Sequence, residues 1–279
     1  MSSIFKVTGL CKNYPAFSLK NVSFDLEEGK ITGFIGRNGA GKTTTLKSSL
    51  GFVHADSGTA EFFGMDMRNN AEKIKQDIGY VSGGVSFYPH KKLRQITAVT
   101  KQFYKSWDDN VYAECLRKFA LDENKTPSQL SEGMKVKYSI ALALSHNARL
   151  LILDEPTSGL DPISRDELLD IFLGLSDSGT TILFSTHITS DLEKCADNII
   201  YIKSGEIAAD TTMKKFVDDY SAVSLTAEEY QKADKSVLIG CKRSKEGYTA
   251  IVRKGTQTVG IVTPADAETI MIHLEHKEN

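Results

Sequence analysis

The run Gly36-Arg37-Asn38-Gly39-Ala40-Gly41-Lys42-Thr43-Thr44 decides how this chain is read. It follows the apolar stretch Ile31 to Ile35 and precedes a helix-compatible run from Lys42 to Leu50, so it occupies a strand-to-helix turn, the setting in which such a loop cradles phosphate. Gly36, Gly39 and Gly41 let the backbone form a concave nest whose N–H groups converge on phosphate oxygens. The following helix turns its positive dipole end toward the same charge. Lys42 is expected to reach the β- and γ-phosphates and Thr43 to offer its hydroxyl to Mg²⁺. Thr44, with the backbone of Asn38 and Ala40, is expected to contact phosphate directly. The motif predicts a nucleoside triphosphate as ligand.

A second stretch, Leu150-Leu151-Ile152-Leu153-Asp154-Glu155, has four apolar residues ending in two carboxylates. It reads as a strand buried on both faces of a parallel sheet, with its acids at the carboxyl end where open α/β sheets bind ligands. Asp154 is then the acid that holds Mg²⁺ through its hydration shell. Glu155 is the candidate general base that polarises the water attacking the γ-phosphate.

Composition agrees with a soluble enzyme. At 279 residues the chain exceeds one compact domain, and a large domain with a smaller appendage is expected. A net charge of −2 gives no polyanion-binding surface, so no nucleic-acid partner is expected. Cys11, Cys115, Cys195 and Cys241 are far apart and form no C-x-x-C pair, which indicates neither a disulfide framework nor a zinc site and suits a reduced, cytoplasmic setting. Met1 to Gly9 reads as a short β-like segment rather than a leader, and no apolar run reaches the ~18 residues of a membrane span.

Leu130-Ser131-Glu132-Gly133-Met134 lies between the phosphate loop and the acid-ended strand. Ser131 suits a helix N-cap, Gly133 permits close backbone approach, and Lys135 to Leu144 is a plausible helix whose dipole would face a second phosphate-binding position. In this order and spacing the segment resembles the signature of ATP-binding-cassette (ABC) proteins, and the resemblance extends over roughly Ile4 to Asp210. It implies an α/β P-loop NTPase fold, with a mixed sheet core, a β-subdomain and a helical subdomain. Tyr14 falls where the family keeps an aromatic residue that stacks on adenine. Pro156 to Asp161 resembles the loop that crosses to a partner subunit, and His187, after the strand-like run from Thr180, takes the place of the switch histidine that senses the γ-phosphate. The family's mechanism would then apply. Two cassettes dimerise head to tail, each ATP held between one chain's phosphate loop and the other's Ser131 to Gly133, and hydrolysis releases the closure.

One motif departs from the family pattern. After Ile78-Gly79-Tyr80-Val81 the family has Pro-Gln, whose glutamine ligates Mg²⁺; here Ser82-Gly83-Gly84 follows, and Gly83 has no side chain to reach a metal. Gln76 and Gln95 are misplaced to substitute, so coupling to a partner is expected to differ while hydrolysis survives.

From Lys92 to Phe119 apolar residues at Ile96, Val99, Phe103, Val111, Cys115, Leu116 and Phe119 suit two amphipathic helices broken at Ser106 to Asp109, with Trp107 as a buried anchor. The pattern Phe103-Tyr104-x-x-Trp107-Asp108 and the pair Met134-Lys135 resemble bacterial cassettes whose separate membrane subunits are of the ABC-2 export type. Asn198 to Ile202 and Glu206 to Ala209 read as a closing hairpin, and Met213 to Asp219 as a helix. The cassette is thus expected over 1–219, its helical subdomain over about 88–147, and a small α+β appendage over 220–279, with a Pro264-initiated helix and a solvated, fraying tail from His273 to Glu278.

The function implied is that of an ATP-binding, ATP-hydrolysing subunit at the cytoplasmic face of a membrane, driving export through ABC-2 type permease subunits as a homodimer or with a related ATPase. The alternative is a soluble ABC-class ATPase or ATP switch that remodels a macromolecule. The short insert and single cassette count against it.

Overall fold

A computed structural model describes residues 3–82 and 88–276. Strands β1 (Ser3–Tyr14) and β2 (Phe17–Glu27) form an antiparallel hairpin whose inward residues, among them Phe5, Val7, Val22, Phe24 and Leu26, are buried at strand spacing. β3 (Ile31–Ile35) is buried at every position, as a strand covered on both faces must be. It leads into α1 (Lys42–Ser49), followed by β4 (Ser57–Phe62), β5 (Met65–Asp66), α2 (Met67–Gln76) and β6 (Ile78–Ser82). Helices α3 (Leu93–Thr100), α4 (Asp109–Lys118) and α5 (Glu132–Ser145) precede the fully buried β7 (Leu150–Asp154). Then come α6 (Pro162–Asp177), β8 (Thr181–Thr186), α7 (Thr189–Cys195), β9 (Asn198–Lys203), β10 (Glu206–Thr212) and α8 (Met213–Asp218). The remaining residues form β11 (Tyr220–Leu225), α9 (Ala227–Lys232), β12 (Ile239–Ser244), β13 (Gly247–Arg253), β14 (Ile261–Pro264) and α10 (Ala267–Glu275).

The central sheet has the order β10-β9-β3-β8-β7-β6. It is parallel except for β10, which returns along β9 through Ser204 and Gly205, both at positive φ (50° and 83°) as a tight hairpin turn requires. Alternate residues of β7 divide between two cores. Leu150 and Ile152 face the cluster built with the β2-β1-β4-β5 sheet and α1, while Leu151 and Leu153 face the one built with α5, α6 and α7. This double coverage leaves the strand ends as the sheet's open edge.

Several expectations need correction. Val99 and Phe103 fit a buried helical stripe by spacing but are 54% and 70% exposed, because that face opens onto a groove instead of a neighbouring element. Pro264 does not begin a helix. It ends the edge strand β14, where its missing N–H disrupts no sheet, and Asp266 caps α10 by accepting the Thr269 N–H at 2.7 Å. The tail is not solvated throughout: His273 is buried, its Nδ1 2.7 Å from the Gly240 carbonyl oxygen, and Tyr201 donates to Glu275 Oε1 at 2.6 Å. Lys203 Nζ also donates to the Leu274 carbonyl. The third sheet, β12-β13-β11-β14, carries its own small cluster, yet Ile251, Ala267, Ile270 and Met271 belong to the same core as Ile31 and Leu153. The elements from β11 to α10 therefore pack onto the central sheet's helical face and continue its core.

Candidate nucleotide site

The carboxyl ends of β3, β7 and β8 lie side by side, Ile35 opposite Thr186 and Asp154 opposite Ser185. This register delivers Gly36, Glu155 and His187, each just past the end of its strand, to one edge. A cleft of about 380 Å³ opens there, lined by loop residues Arg37, Asn38, Gly39 and Gly41 to Thr44 together with Phe17, Glu155, Ser158 and His187.

Glycine is required at two points of the loop. A Cβ at Gly36 would lie 2.4 Å from the Ile202 carbonyl oxygen, and Gly41 has φ of 116° with Leu19 and Phe17 side chains within 2.8 Å of where its Cβ would stand. The Lys42 side chain is buried, its Nζ donating to the Gly36 carbonyl at 2.7 Å and pairing with Glu155 Oε1 at 3.0 Å. The Ala40 N–H donates to the Arg37 carbonyl at 3.0 Å, closing the loop on itself.

Thr43 Oγ1 donates to Asp154 Oδ1 at 3.0 Å, which joins the two residues expected at the metal. Ser185 Oγ donates to the same oxygen at 2.7 Å and accepts the Glu155 N–H at 2.9 Å. Ser185 thus orients both acids, a role that only the parallel pairing of β7 with β8 reveals. Glu155 has φ of 53°, in the left-handed region that costs an L-residue energy. The turn aims its carboxylate back over the loop, Oε1 to Lys42 and Oε2 to His187 Nδ1 at 2.8 Å.

Other expected residues stand apart from the cleft. Ser131 caps α5, its Oγ accepting the Met134 N–H at 3.2 Å, and Gly133 is buried beside Leu160 and Ser164; neither lines the cleft. Asp161 uses both carboxylate oxygens to cap α6, one accepting from the Ile163 and Ser164 N–H groups and the other from the Ser164 hydroxyl at 2.6 Å. Those bonds hold its carboxyl below the usual range. Tyr14 is 43% exposed and absent from the lining. Its strand partner Phe17 is the aromatic that reaches the cleft. Phe17 is legible only once the hairpin is folded against Gly41. Gly83 lies outside the described residues. A neighbouring cleft of about 350 Å³ is lined by Arg37 and His187 and by Glu268, Met271 and Glu275 of α10, so α10 reaches the rim of the site.

A phosphate loop, a strand-end pair of acids and a strand-end histidine over a parallel sheet define a P-loop nucleotide hydrolase. Comparison with known proteins narrows the class. The profile of the family described as "ABC transporter" matches residues 19–158. Bacitracin transport ATP-binding protein BcrA of Bacillus licheniformis is 36% identical over 211 residues, covering 74% of this chain and 69% of that protein. Nod factor export ATP-binding protein I of Burkholderia lata is 34% identical over 197 residues, covering 69% of this chain and 65% of that protein. A solved chain described as "Structure of ATP binding subunit of ABC transporter" superposes with a TM-score of 0.69 at 28% identity, over 77% of this chain and 92% of that one. The chain belongs to the ABC transporter family. It is an ATP-binding subunit and ATPase of such a transporter, and among the described residues no helix is long and apolar enough to cross a membrane.

Proposed function

We propose that this subunit energises export through separate ABC-2 type membrane subunits, from the cytoplasmic face of the membrane, by ATP-driven closure of two cassettes. The pair is two copies of this chain, or one copy with a related ATPase subunit. One observation carries the reading: the cleft gathers Lys42, Thr43, Glu155 and His187 but leaves Ser131 and Gly133 outside, so a capped helix start suited to phosphate remains unused on each chain. A second cassette, turned head to tail, would supply that helix start to the exposed side of the triphosphate.

Within one cassette the proposal assigns the following roles, which the contacts of Lys42, Glu155 and His187 support. Lys42, freed from Glu155, moves its charge to the β- and γ-phosphates. Glu155 then orients the attacking water, held by His187, which senses whether the γ-phosphate is present. Phe17 offers the cleft an apolar surface for the base. Among the described residues no cluster of three or more His, Cys, Asp or Glu could cage a metal, and the hard oxygens of Thr43 and Asp154 would hold Mg²⁺ beside the phosphates. When bound, Mg²⁺ neutralises charge on the phosphate oxygens.

The names of BcrA and the Nod factor protein refer to transport and export. Docking on a membrane subunit is supported by a groove of about 470 Å³ between α3, α5 and the loop after α1, where Phe52, Val99 and Phe103 leave large apolar side chains in the open. Cell fractionation tests the proposal. The chain is expected to sediment with membranes although it has no spanning helix among its described residues, and Phe103→Glu is expected to release it into the supernatant with ATPase activity intact. A wild-type chain found wholly in the supernatant of its native cells would contradict the transport role.

A further inference from the structure

Asp191, in the first turn of α7, is 1% exposed and four residues beyond His187. Its Oδ2 accepts a hydrogen bond from Thr157 Oγ1 at 2.7 Å, and Thr157 is itself fully buried in the turn between Glu155 and Asp161. Its Oδ1 faces Arg165 Nε of α6 at 3.9 Å. Neither of these two atoms has a hydrogen-bond partner among the described residues, although both are buried. A buried carboxylate oxygen and a buried guanidinium N–H that face each other without bonding carry a desolvation penalty that a shorter separation would remove. Burial pushes the Asp191 carboxyl above its usual range, against the pull of Thr157, Arg165, Thr186 and His187.

The three residues sit on the segments that carry the proposed chemistry. Thr157 follows the general base by two positions, Asp191 heads the helix after the switch histidine, and Arg165 lies in the first turns of the helix that begins just past Asp161. Glu155 and His187 touch each other directly, and the Glu155 N–H is held by Ser185 at the end of β8; Asp191 adds a second tie, between the turn after Glu155 and the helix after His187.

We propose that Asp191 is a positioning residue for hydrolysis, tying the turn after Glu155 to the helix after His187, and that its free oxygen closes onto Arg165 when nucleotide draws these segments together. The inference rests on the roles given above to Glu155 and His187. Closure would fix the distance between base and switch only in the nucleotide-bound state, so losing it should slow turnover without weakening ATP binding.

The test is steady-state ATP hydrolysis by the full chain with MgATP. Asp191→Asn keeps an oxygen for the Thr157 hydroxyl but removes the charge facing Arg165. The expected result is kcat lower by about tenfold with KM for ATP within about twofold of wild type. Arg165→Gln should match it, and the double variant should be no slower than either single one, because both remove the same contact. Thr157→Val should reproduce the loss and Thr157→Ser should rescue it. If Asp191→Asn does not fold, Arg165→Gln and the Thr157 pair decide by the same readouts. Wild-type kcat in the Asn or Gln variants, additive losses in the double variant, or a loss that appears only as raised KM would each overturn the proposal. Glu155→Gln separates this from the site assignment, since its turnover must fall at least about a hundredfold whether or not Asp191 acts as described.

Discussion

Lys42 and Glu155 form an ion pair at 3.0 Å across the floor of the nucleotide cleft. The loop lysine is thus paired with the group proposed to activate water, and a γ-phosphate would compete with that carboxylate for it. Binding and catalysis are therefore linked through one side chain. Glu155→Gln is expected to lower hydrolysis by at least about a hundredfold, as loss of a general base does, while ATP affinity holds or rises because the competing charge is gone. Phosphate release and equilibrium nucleotide binding measure the two effects; weakened ATP binding by this variant would refute the competition.

The backbone at Glu155, with φ of 53°, leads to a prediction about stability alone. Both Glu155→Gly and Glu155→Ala remove the carboxylate's contacts with Lys42 and His187, but only glycine relaxes the left-handed conformation. The glycine variant should unfold about 1 kcal/mol later than the alanine variant in denaturant titrations. Equal stabilities would mean that this turn stores no strain.

Ser131 has two separable roles, the cap seen here and the phosphate contact proposed with a second cassette. Ser131→Ala should cost about 1 kcal/mol of stability through the lost cap. Ser131→Asp preserves a good cap and places a negative charge where phosphate would dock, so its melting temperature should stay near wild type while ATP-dependent dimerisation and turnover fail. A Ser131→Asp chain with normal turnover would confine Ser131 to capping.

Two buried histidines set an acid limit on stability. His146 stacks on Tyr104 at 3.7 Å with Nδ1 3.0 Å from the Gln76 carbonyl oxygen, and His273 sits against the Gly240 carbonyl. Burial pushes both below the ordinary histidine value, against the pull of those carbonyls. In the unfolded chain each takes up a proton near pH ~6.5, whereas the folded chain resists until lower pH. The unfolded state therefore binds more protons in that window, so stability is fully present above about 6.5 and falls as pH drops below it. Melting temperatures at pH 7.5 and 5.5 should show the fall, and replacing both residues with Gln should flatten it.

Much of this site was legible because its residues are close in sequence. The loop from Gly36 to Thr44 and the pair Asp154-Glu155 each specify their geometry within one turn, and so does the Ser131 cap. What stayed hidden depends on pairing between distant strands. Ser185 reaches Asp154 only through the β7–β8 register, and Phe17 replaces Tyr14 in the cleft because the hairpin folds onto Gly41. The charged residues near the carboxyl end suggested a solvated tail, yet α10 docks against α7 and leaves His273 buried. Spacing alone also buried Val99 and Phe103, since helical periodicity reports an apolar face without saying whether the same chain covers it.

Solution mass of the Glu155→Gln chain with saturating MgATP tests the central claim most directly. Alternating closure predicts a shift from one chain to two on adding ATP, reversed by ADP and absent when Ser131→Asp is added. If the mass stays that of a single chain, with and without a related ATPase subunit, while bound nucleotide is demonstrated in the same sample, the account of paired cassettes is wrong.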